Sequence, residues 1–289
     1  MEEQNIIGSL DKVIHYYNES EDGYRDVWNL DDAHQLNLGL WEKGTNNLGT
    51  AMKNLNDQLA NASGIGKGSE VLDIGCGVGG TSIYISETTG GNCTGLNINS
   101  RQLNLAKEYS RKSTALNRIS FCKGDYHNLP FEDTTFDHVL AIETLSHAVD
   151  IDAVFSEVSR VLRKGGTFVF AEALRSKKEL DIEESKALYD RAFMGCQVDH
   201  LYHPDELKQT LEDVDFDVNE VRDWSGLAWP SVKRLKRISY LSKLYNFWKE
   251  LTGADFNEYK KGNTLLASGL QPAMKKKLWG YYMFKATKR

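Results

Sequence analysis

The sequence predicts an α/β fold in which helices cover both faces of a doubly wound, mostly parallel sheet of seven strands. Three observations predict it. Short apolar runs alternate with helical segments between residues 70 and 172, which is typical of parallel sheets. The first run, residues 70–74, leads directly into a glycine-rich turn and a helix that begins with Thr and Ser. After residue 172, two long helical segments separate the last two predicted strands. The pattern indicates a Rossmann-like sheet with a helical insertion near its C-terminus.

The composition is that of a soluble globular protein. The chain has 289 residues and a net charge of −6, with 40% hydrophobic and 26% charged residues. No apolar run approaches the ~20 residues of a membrane span, and the N-terminus lacks the basic start and apolar core of a signal peptide. We therefore expect a cytoplasmic protein without a membrane span. The four cysteines are scattered without C-x-x-C spacing, so no metal site is expected.

Residues 1–62 are predicted to form an N-terminal lid with helices. Apolar residues at helical spacing predict a helix over 9–20. The aromatic segment that follows it, which contains Tyr24 and Trp28, has too many Gly, Asn and Asp residues for a long helix. A second, amphipathic helix is predicted over 47–62.

Residues 63–175 are predicted to form the core of the sheet, and residues 176–289 a helical cap together with the last strands. Core strands are predicted at 70–74, 92–98, 118–123, 135–142 and 167–172, with helices at 80–88, 100–115 and 150–163. In the last part, helices are expected over 230–253 and 257–277, between strands near 216–224 and 279–287. We expect this insertion of about 50 residues to cover the active site.

The glycine-rich turn after the first strand predicts a ligand-binding loop. Gly75, Gly77 and Gly80 satisfy the dinucleotide pattern G-x-G-x-x-G, which by itself is weak evidence. A dinucleotide site needs room for a pyrophosphate and an acid about 20 residues further on. Here Asp73 precedes the turn, where its charge would repel a phosphate, and the second strand ends at Asn97 without an acid. A nucleotide-binding dehydrogenase is therefore the weaker interpretation.

The same residues resemble the first motif of class I methyltransferases that use S-adenosylmethionine (SAM). The resemblance implies SAM as cofactor and S-adenosylhomocysteine as product, with Asp73, Gly75, Gly77 and Gly79 at the cofactor. Two later motifs extend it. Asn97 and Gln102 match the ribose-binding positions of one branch of these enzymes, and the Gly-Asp-Tyr run containing Asp125 and Tyr126 resembles their adenine motif.

The run AIETLSHA resembles the Ala-Ile-Glu-x-x-x-His-Ala segment of sterol methyltransferases. Tyr17, Tyr24, Trp28 and a Gly-x-Trp ending at Trp41 resemble the front of methyltransferases of the sterol, tocopherol and cyclopropane-lipid type. That group often has His where this chain has Asn37. The resemblance covers about residues 10 to 172.

The resemblance implies that the segment with Glu143 and His147 meets both the methionine end of SAM and the acceptor. We predict His147 as the base, if the acceptor must lose a proton, and Tyr17 as its partner from the lid. The predicted catalytic residues are therefore His147, Glu143 and Tyr17, and the predicted substrate contacts are Tyr24, His147 and Trp229. Methyl transfer to carbon, oxygen or nitrogen is equally compatible with these residues.

The predicted cap is basic and aromatic. Residues 231–289 contain 14 Lys and Arg against 3 acids, whereas residues 1–230 carry a net charge of −17. Four of these cations, Lys233, Arg234, Lys236 and Arg237, lie among aromatics and suit an apolar small-molecule substrate with an anionic group; a solvated helix face is the alternative. A nucleic-acid methyltransferase and a noncatalytic SAM-binding protein are the competing functions. We expect no nucleic-acid partner because no recognisable RNA-binding module is appended.

Overall fold

A computed structural model describes residues 2–28, 30–198, 200–252 and 258–289; within these ranges the side chains at 2–10, 22–24, 26, 31–32, 245–246, 249–252, 258 and 260 are not described. A seven-stranded sheet lies at its centre. The strands are β1 (Glu70–Ile74), β2 (Asn92–Asn97), β3 (Ile119–Lys123), β4 (Phe136–Ile142), β5 (Leu162–Arg175), β6 (Phe216–Asp223) and β7 (Trp279–Lys288). Their order is β3-β2-β1-β4-β5-β7-β6. The first five strands are parallel, and β7 pairs antiparallel with both β5 and β6. The predicted fold class is confirmed.

Ten α-helices are described around the sheet. They are α1 (Glu2–Trp28), α2 (Leu30–Ala33), α3 (Leu48–Ser63), α4 (Gly80–Thr89), α5 (Ser100–Ser110), α6 (Ile151–Val161), α7 (Ile182–Leu188), α8 (Pro204–Asp213), α9 (Ser225–Thr252) and α10 (Glu258–Lys275). None of the described helices combines the length and apolarity needed to cross a bilayer.

Alternating side chains of the strands enter two hydrophobic clusters, one on each face of the sheet. In β5, Val169 and Ala171 pack with residues of α3, α9 and α10, whereas Phe168 and Phe170 pack with α6 and α8. This period of two is what a strand buried on both faces requires. The sheet is therefore held between two helical layers, with its carboxyl edge left for a site.

Several predicted boundaries were wrong. The first helix continues to Trp28 instead of ending near residue 20, because Trp28 is buried in the core cluster and such packing outweighs unfavourable propensities. The helix predicted over 100–115 ends at Ser110. Strand β5 begins at Leu162, directly after α6, five residues earlier than predicted.

The insertion between β6 and β7 is present and consists of α9 and α10. These helices pack on each other, and α10 also packs on residues 189–196 and on α1. A hydrogen bond from the Tyr16 hydroxyl to Asn263 Oδ1 (2.6 Å) joins α1 to α10. The cap formed by α9 and α10 therefore packs against α1.

Gly39 allows the segment after α2 to pass against α3. A Cβ at this position would lie 2.5 Å from Ala51 Cβ and 2.8 Å from the Met52 backbone nitrogen, closer than packed atoms tolerate. We expect Gly39→Ala to destabilise the protein by about 1–3 kcal/mol, because the backbone of α3 would have to shift. The matched control is Gly49→Ala, where the added Cβ meets only Asn47 Oδ1 at 3.5 Å. Thermal unfolding checks both, and equal melting temperatures for the two variants would contradict this packing.

Candidate active site

A cavity of about 980 Å³, its open mouth included, lies at the carboxyl ends of β1, β2 and β4. Crossover connections leave such an edge open in doubly wound sheets, so ligands bind there. The site residues predicted from the sequence that line it are Tyr17, Asp73, Gly75, Gly77, Asn97, Gln102, Asp125, Tyr126, Glu143 and His147.

The glycine turn after β1 places backbone atoms without side chains at the cavity. Gly75 and Gly77 have φ values of 68° and 55°, which favour glycine. A Cβ on Gly75 would lie 2.1 Å from Thr144 Oγ1, so this glycine lets the turn approach the loop after β4. Gly79 does not line the cavity, because its α-carbon faces Phe121 and Ala106 in the layer behind.

Asp73, at the end of β1, is 3% exposed and accepts a hydrogen bond from Ser82 Oγ (2.6 Å) in α4. Burial raises its pKa to about 7, and the hydrogen bond from Ser82 only partly opposes this. The carboxyl group thus lies near the N-terminus of α4 with no cationic partner among the described ion pairs.

Asn97 and Gln102 contact each other. Asn97 Nδ2 donates to Gln102 Oε1 (2.8 Å) and to the Gly77 carbonyl oxygen (3.2 Å). Asn99, which caps α5, also lines the cavity and donates to Asn18 Oδ1 of α1 (3.0 Å). Asn97 thereby contacts the glycine turn, and Asn99, between β2 and α5, contacts the lid helix α1.

Asp125 is fixed by a histidine that sequence reasoning missed. Its Oδ1 accepts hydrogen bonds from the His127 backbone N–H (2.9 Å) and from Nδ1 (2.7 Å). Because His127 Nε2 accepts from the backbone N–H of Val149 (3.2 Å), Nδ1 carries the proton. Burial alone would raise the pKa of Asp125, but the hydrogen bonds from His127 outweigh it and lower that pKa. Asp125 is therefore an ionised acceptor at neutral pH.

Glu143 joins three distant parts of the chain. One of its carboxyl oxygens, Oε1, accepts hydrogen bonds from the Leu38 backbone N–H (2.7 Å) and from the Tyr281 hydroxyl (2.9 Å). Its backbone has a φ of 48°, an uncommon conformation for a residue other than glycine. Burial, opposed by the Leu38 hydrogen bond and reinforced by the charge of Glu172, raises its pKa to about 8.

His147 meets the lid. The Tyr17 hydroxyl lies 3.2 Å from His147 Nε2, and the two rings pack edge to face. His147 Nδ1 is buried and has no hydrogen-bond partner among the described residues. Burial lowers the pKa of His147 to about 4, so the imidazole is neutral at physiological pH.

Glu172 lies in β5 and fixes the loop that carries His147. The sequence did not predict this residue. Its Oε2 accepts from the backbone N–H groups of Leu145 (2.8 Å) and Ser146 (3.3 Å). Burial raises its pKa to about 7 despite these bonds. An acid within an otherwise apolar strand was the signal that could have identified it.

The N-terminal segment supplies lining residues that were not predicted. Val13 and Ile14 share one face of α1 with Tyr17, and Gln35 and Asn37 come from the segment after α2. Gln35 Oε1 and Asn37 Oδ1 are buried and without a hydrogen-bond partner among the described residues. Two residues of the lining therefore carry an acceptor oxygen for which the described residues supply no donor.

The cap does not line the cavity. Trp229 packs against the hydrophobic cluster beside α3, and no described residue of α9 or α10 is part of the lining. The sequence predicted that this insertion covers the active site. In the structure, α1 lies between the cap and the cavity. The predicted basic residues Lys233, Arg234, Lys236 and Arg237 also lie outside the lining. The side chain of Tyr24 falls outside the described residues.

Within the described part of the chain, no group of three or more His, Cys, Asp or Glu residues is arranged to hold a metal ion.

Comparison with known proteins adds a family to this geometry. Residues 72–170 match the family described as a methyltransferase domain. Sterol 24-C-methyltransferase of Saccharomyces cerevisiae is 31% identical to the chain over 256 residues, which are 86% of this chain and 65% of that protein. The chain thus spans slightly less than two thirds of the length of this curated relative.

Two solved structures share the fold. A geranyl diphosphate methyltransferase in complex with GPP and sinefungin has a TM-score of 0.75 at 15% identity, covering 97% of this chain and 99% of its own. The cyclase SpnF has a TM-score of 0.71 at 19% identity, covering 92% of this chain and 94% of its own. At these identities the likeness concerns the fold alone. Residues 72–170 therefore form a methyltransferase domain, within a chain that resembles the class I methyltransferases of the sterol group.

Proposed function

We propose that this protein transfers a methyl group from SAM to a small apolar acceptor of the lipid or terpenoid type. The observation that carries the proposal is the acidic lining of the cavity. Three carboxyl groups, those of Asp73, Asp125 and Glu143, line it, and no Lys or Arg is among the described lining residues. Asp125 is ionised, and a positive ligand would favour ionisation of Asp73 and Glu143, whose pKa values burial raises, whereas a pyrophosphate would be disfavoured.

SAM fits these residues better than a dinucleotide does. Its sulfonium and ammonium groups are positive, whereas its single carboxylate is the only anionic group. The unpartnered oxygens of Gln35 and Asn37 are acceptors that suit an ammonium donor. The bare backbone at Gly77, where an added Cβ would meet nothing within 4 Å, leaves room beside the turn.

We assign the cofactor contacts along the sheet edge. Asp73, Gly75, Gly77 and the segment with Asn37 would hold the methionine end, and Asn97 with Gln102 the ribose. Asp125, kept ionised by His127, would accept from the adenine amino group beside Tyr126. These assignments rest on the lining of the cavity and on the order of the motifs.

The chain's own residues would align the acceptor and handle a proton. When bound, SAM supplies a methyl group already activated by its sulfonium, so the protein mainly has to orient the acceptor and exclude water. Helix α1 would exclude water, because Val13, Ile14 and Tyr17 line the cavity. The neutral imidazole of His147 has one nitrogen, Nδ1, without a hydrogen-bond partner among the described residues, and this nitrogen would take the proton that a methylated acceptor must lose.

The lining favours an uncharged acceptor over an anionic one. Its apolar members include Val13, Ile14, Leu36 and Ile142, and the cations suggested as an anion site lie outside the lining. The sterol methyltransferase relative acts, by its name, on an apolar acceptor, which agrees with this composition. The basic residues also do not reach the cavity, which weakens the nucleic-acid alternative. The cytoplasmic location stays a prediction.

SAM binding tests the cofactor assignment. We expect Asp125→Asn to weaken SAM binding about 10-fold to 150-fold, since a charge-assisted hydrogen bond contributes about 1.5–3 kcal/mol. Isothermal titration measures the affinity, and Asp217→Asn, an exposed change in β6, is the control. Labelled SAM incubated with sterol and terpenoid acceptors then tests for transfer. Tighter binding of a nicotinamide dinucleotide than of SAM would overturn the proposal, and SAM binding without transfer to any acceptor would favour a noncatalytic protein.

The buried carboxyl groups predict how stability depends on pH. The pKa of Glu143 is raised to about 8 in the folded protein, and that of an unfolded Glu is about 4.3. Below about pH 4 both states hold the proton, whereas at higher pH only the unfolded state releases it, so this contribution to stability is lost as the pH rises towards 8. Glu143→Gln, which keeps the acceptor oxygen, should raise the melting temperature of the ligand-free protein at about pH 8.5 but not at about pH 5. Equal melting curves at both pH values would contradict the raised pKa.

The roles of His147 and Tyr17 are tested by kinetics. His147→Ala should lower turnover about 100-fold while leaving SAM affinity nearly unchanged, if the imidazole acts as a base. Because its pKa is lowered to about 4, wild-type activity should persist at about pH 5.5, well below the usual histidine value of about 6.5. Tyr17→Phe removes only the hydroxyl and so tests its contact with His147 Nε2. The exposed His200→Gln serves as control. Full turnover of His147→Ala would show that the residue is structural or that no base is needed.

A further inference from the structure

The C-terminal half of α9 exposes a set of large apolar side chains. Of the eleven large hydrophobic residues exposed in the described part of the chain, five fall within nine consecutive positions of α9. They are between 57% and 71% exposed, and we call them the apolar stripe: Tyr240, Leu241, Leu244, Phe247 and Trp248. Such a concentration is uncommon on the surface of a soluble protein.

The spacing of the apolar stripe places it on one side of the helix. At 3.6 residues per turn, its five positions fall within an arc of about 120°. Earlier in α9 the buried positions are 228, 231, 232, 235 and 239, which lie on the side of the helix that faces the core. Their mean direction differs from that of the stripe by about 165°. The apolar stripe therefore lies away from the side by which α9 packs onto the core.

Positive charge accompanies the apolar stripe. From Ser225 to Lys249 the sequence of α9 contains six Lys and Arg and no Asp or Glu. Arg237 and Lys243 are exposed beside the stripe, and Lys236 Nζ lies 5.4 Å from the centre of the Tyr240 ring. Exposed aromatic and aliphatic residues with flanking cations are the composition of helices that lie in the interface of anionic membranes.

We infer that the C-terminal half of α9 docks on an anionic membrane surface. The apolar stripe would enter the boundary between headgroups and acyl chains, while Arg237 and Lys243 would contact anionic headgroups. The charge of the rest of the chain orients this contact. Residues 225–278, which include α9 and α10, carry a net charge of +8 and the rest of the chain a net charge of −14, so an anionic surface attracts the cap and repels the body.

A second copy of the chain is the less favourable occupant. A symmetric dimer through the apolar stripe would bring the Arg237 and Lys243 side chains of the two copies towards each other, and the helix offers no acid before Glu250 to offset them. An anionic lipid surface instead supplies the opposite charge along the whole helix. Charge complementarity therefore selects the membrane.

Docking would bring the apolar acceptor near the lid. Helix α10, which packs on α9, is joined to α1 by the hydrogen bond between Tyr16 and Asn263, and an adjacent face of α1 lines the cavity. This use of the contact rests on the proposed function, whereas membrane binding itself does not require SAM or catalysis.

Vesicle flotation of the full chain tests the inference. We expect the wild type to float with vesicles of phosphatidylcholine and phosphatidylserine, and not with phosphatidylcholine alone. Leu244→Asp combined with Phe247→Asp should reduce the bound fraction at least about tenfold, with unchanged circular dichroism because both side chains are exposed. Ile182→Asp, at a 74% exposed isoleucine on α7, is the matched control and should float like the wild type.

The charge contribution has its own variants. Arg237→Gln with Lys243→Gln should weaken flotation and make it less sensitive to salt, whereas Lys53→Gln with Lys112→Gln, two exposed lysines elsewhere, should not. Failure of the wild type to float on anionic vesicles would overturn the inference, as would flotation of the Leu244→Asp, Phe247→Asp variant at the wild-type level. Analytical ultracentrifugation covers the other occupant: a dimer that this variant dissociates, without vesicle binding, would also overturn it. SAM binding measured on the same samples separates these outcomes from failure of the proposed function.

Discussion

The site depends on one buried carboxyl group. Glu143 Oε1 accepts hydrogen bonds from Leu38 and Tyr281, which lie 105 and 138 residues away in the chain. This contact joins the N-terminal segment, the end of β4 and the antiparallel strand β7 at the floor of the cavity. The cost is visible in the left-handed backbone of Glu143 and in its raised pKa. A positive ligand in the cavity would offset part of that cost, which connects the stability of the site to the charge of what it binds.

The lid and the cap have separate tasks. Helix α1 uses Val13, Ile14 and Tyr17 towards the cavity, and Tyr16 and Ser20 towards Asn263 of α10. These two sets lie on different faces of the helix. One helix can therefore close the site and hold the cap at the same time. The described residues of the cap then support the lid without lining the cavity, and the far half of α9 exposes the apolar stripe.

Fold and function are decided at different places in this molecule. The cyclase SpnF and a geranyl diphosphate methyltransferase both share the fold, so the sheet alone does not select a reaction. The chemistry lies in a few side chains at the sheet edge. They are acidic groups in a lining that has no described Lys or Arg, acceptor oxygens with no donor among the described residues, and a neutral histidine beside a tyrosine. The separation of an acidic body from a basic cap adds a second feature that the fold does not require.

The sequence by itself determined the sheet and the order of its motifs, because strand periodicity, glycine turns and helix caps are local signals. It also identified Tyr17 and His147, which the structure places 3.2 Å apart, although their catalytic roles stay predictions. Only the tertiary structure decided what covers the cavity, since the long α1 and the position of Trp229 follow from packing between distant segments. The same holds for Glu172 and His127. Each fixes a neighbouring loop through backbone hydrogen bonds, and such partners depend on how strands meet in space, which residue spacing along one chain does not encode.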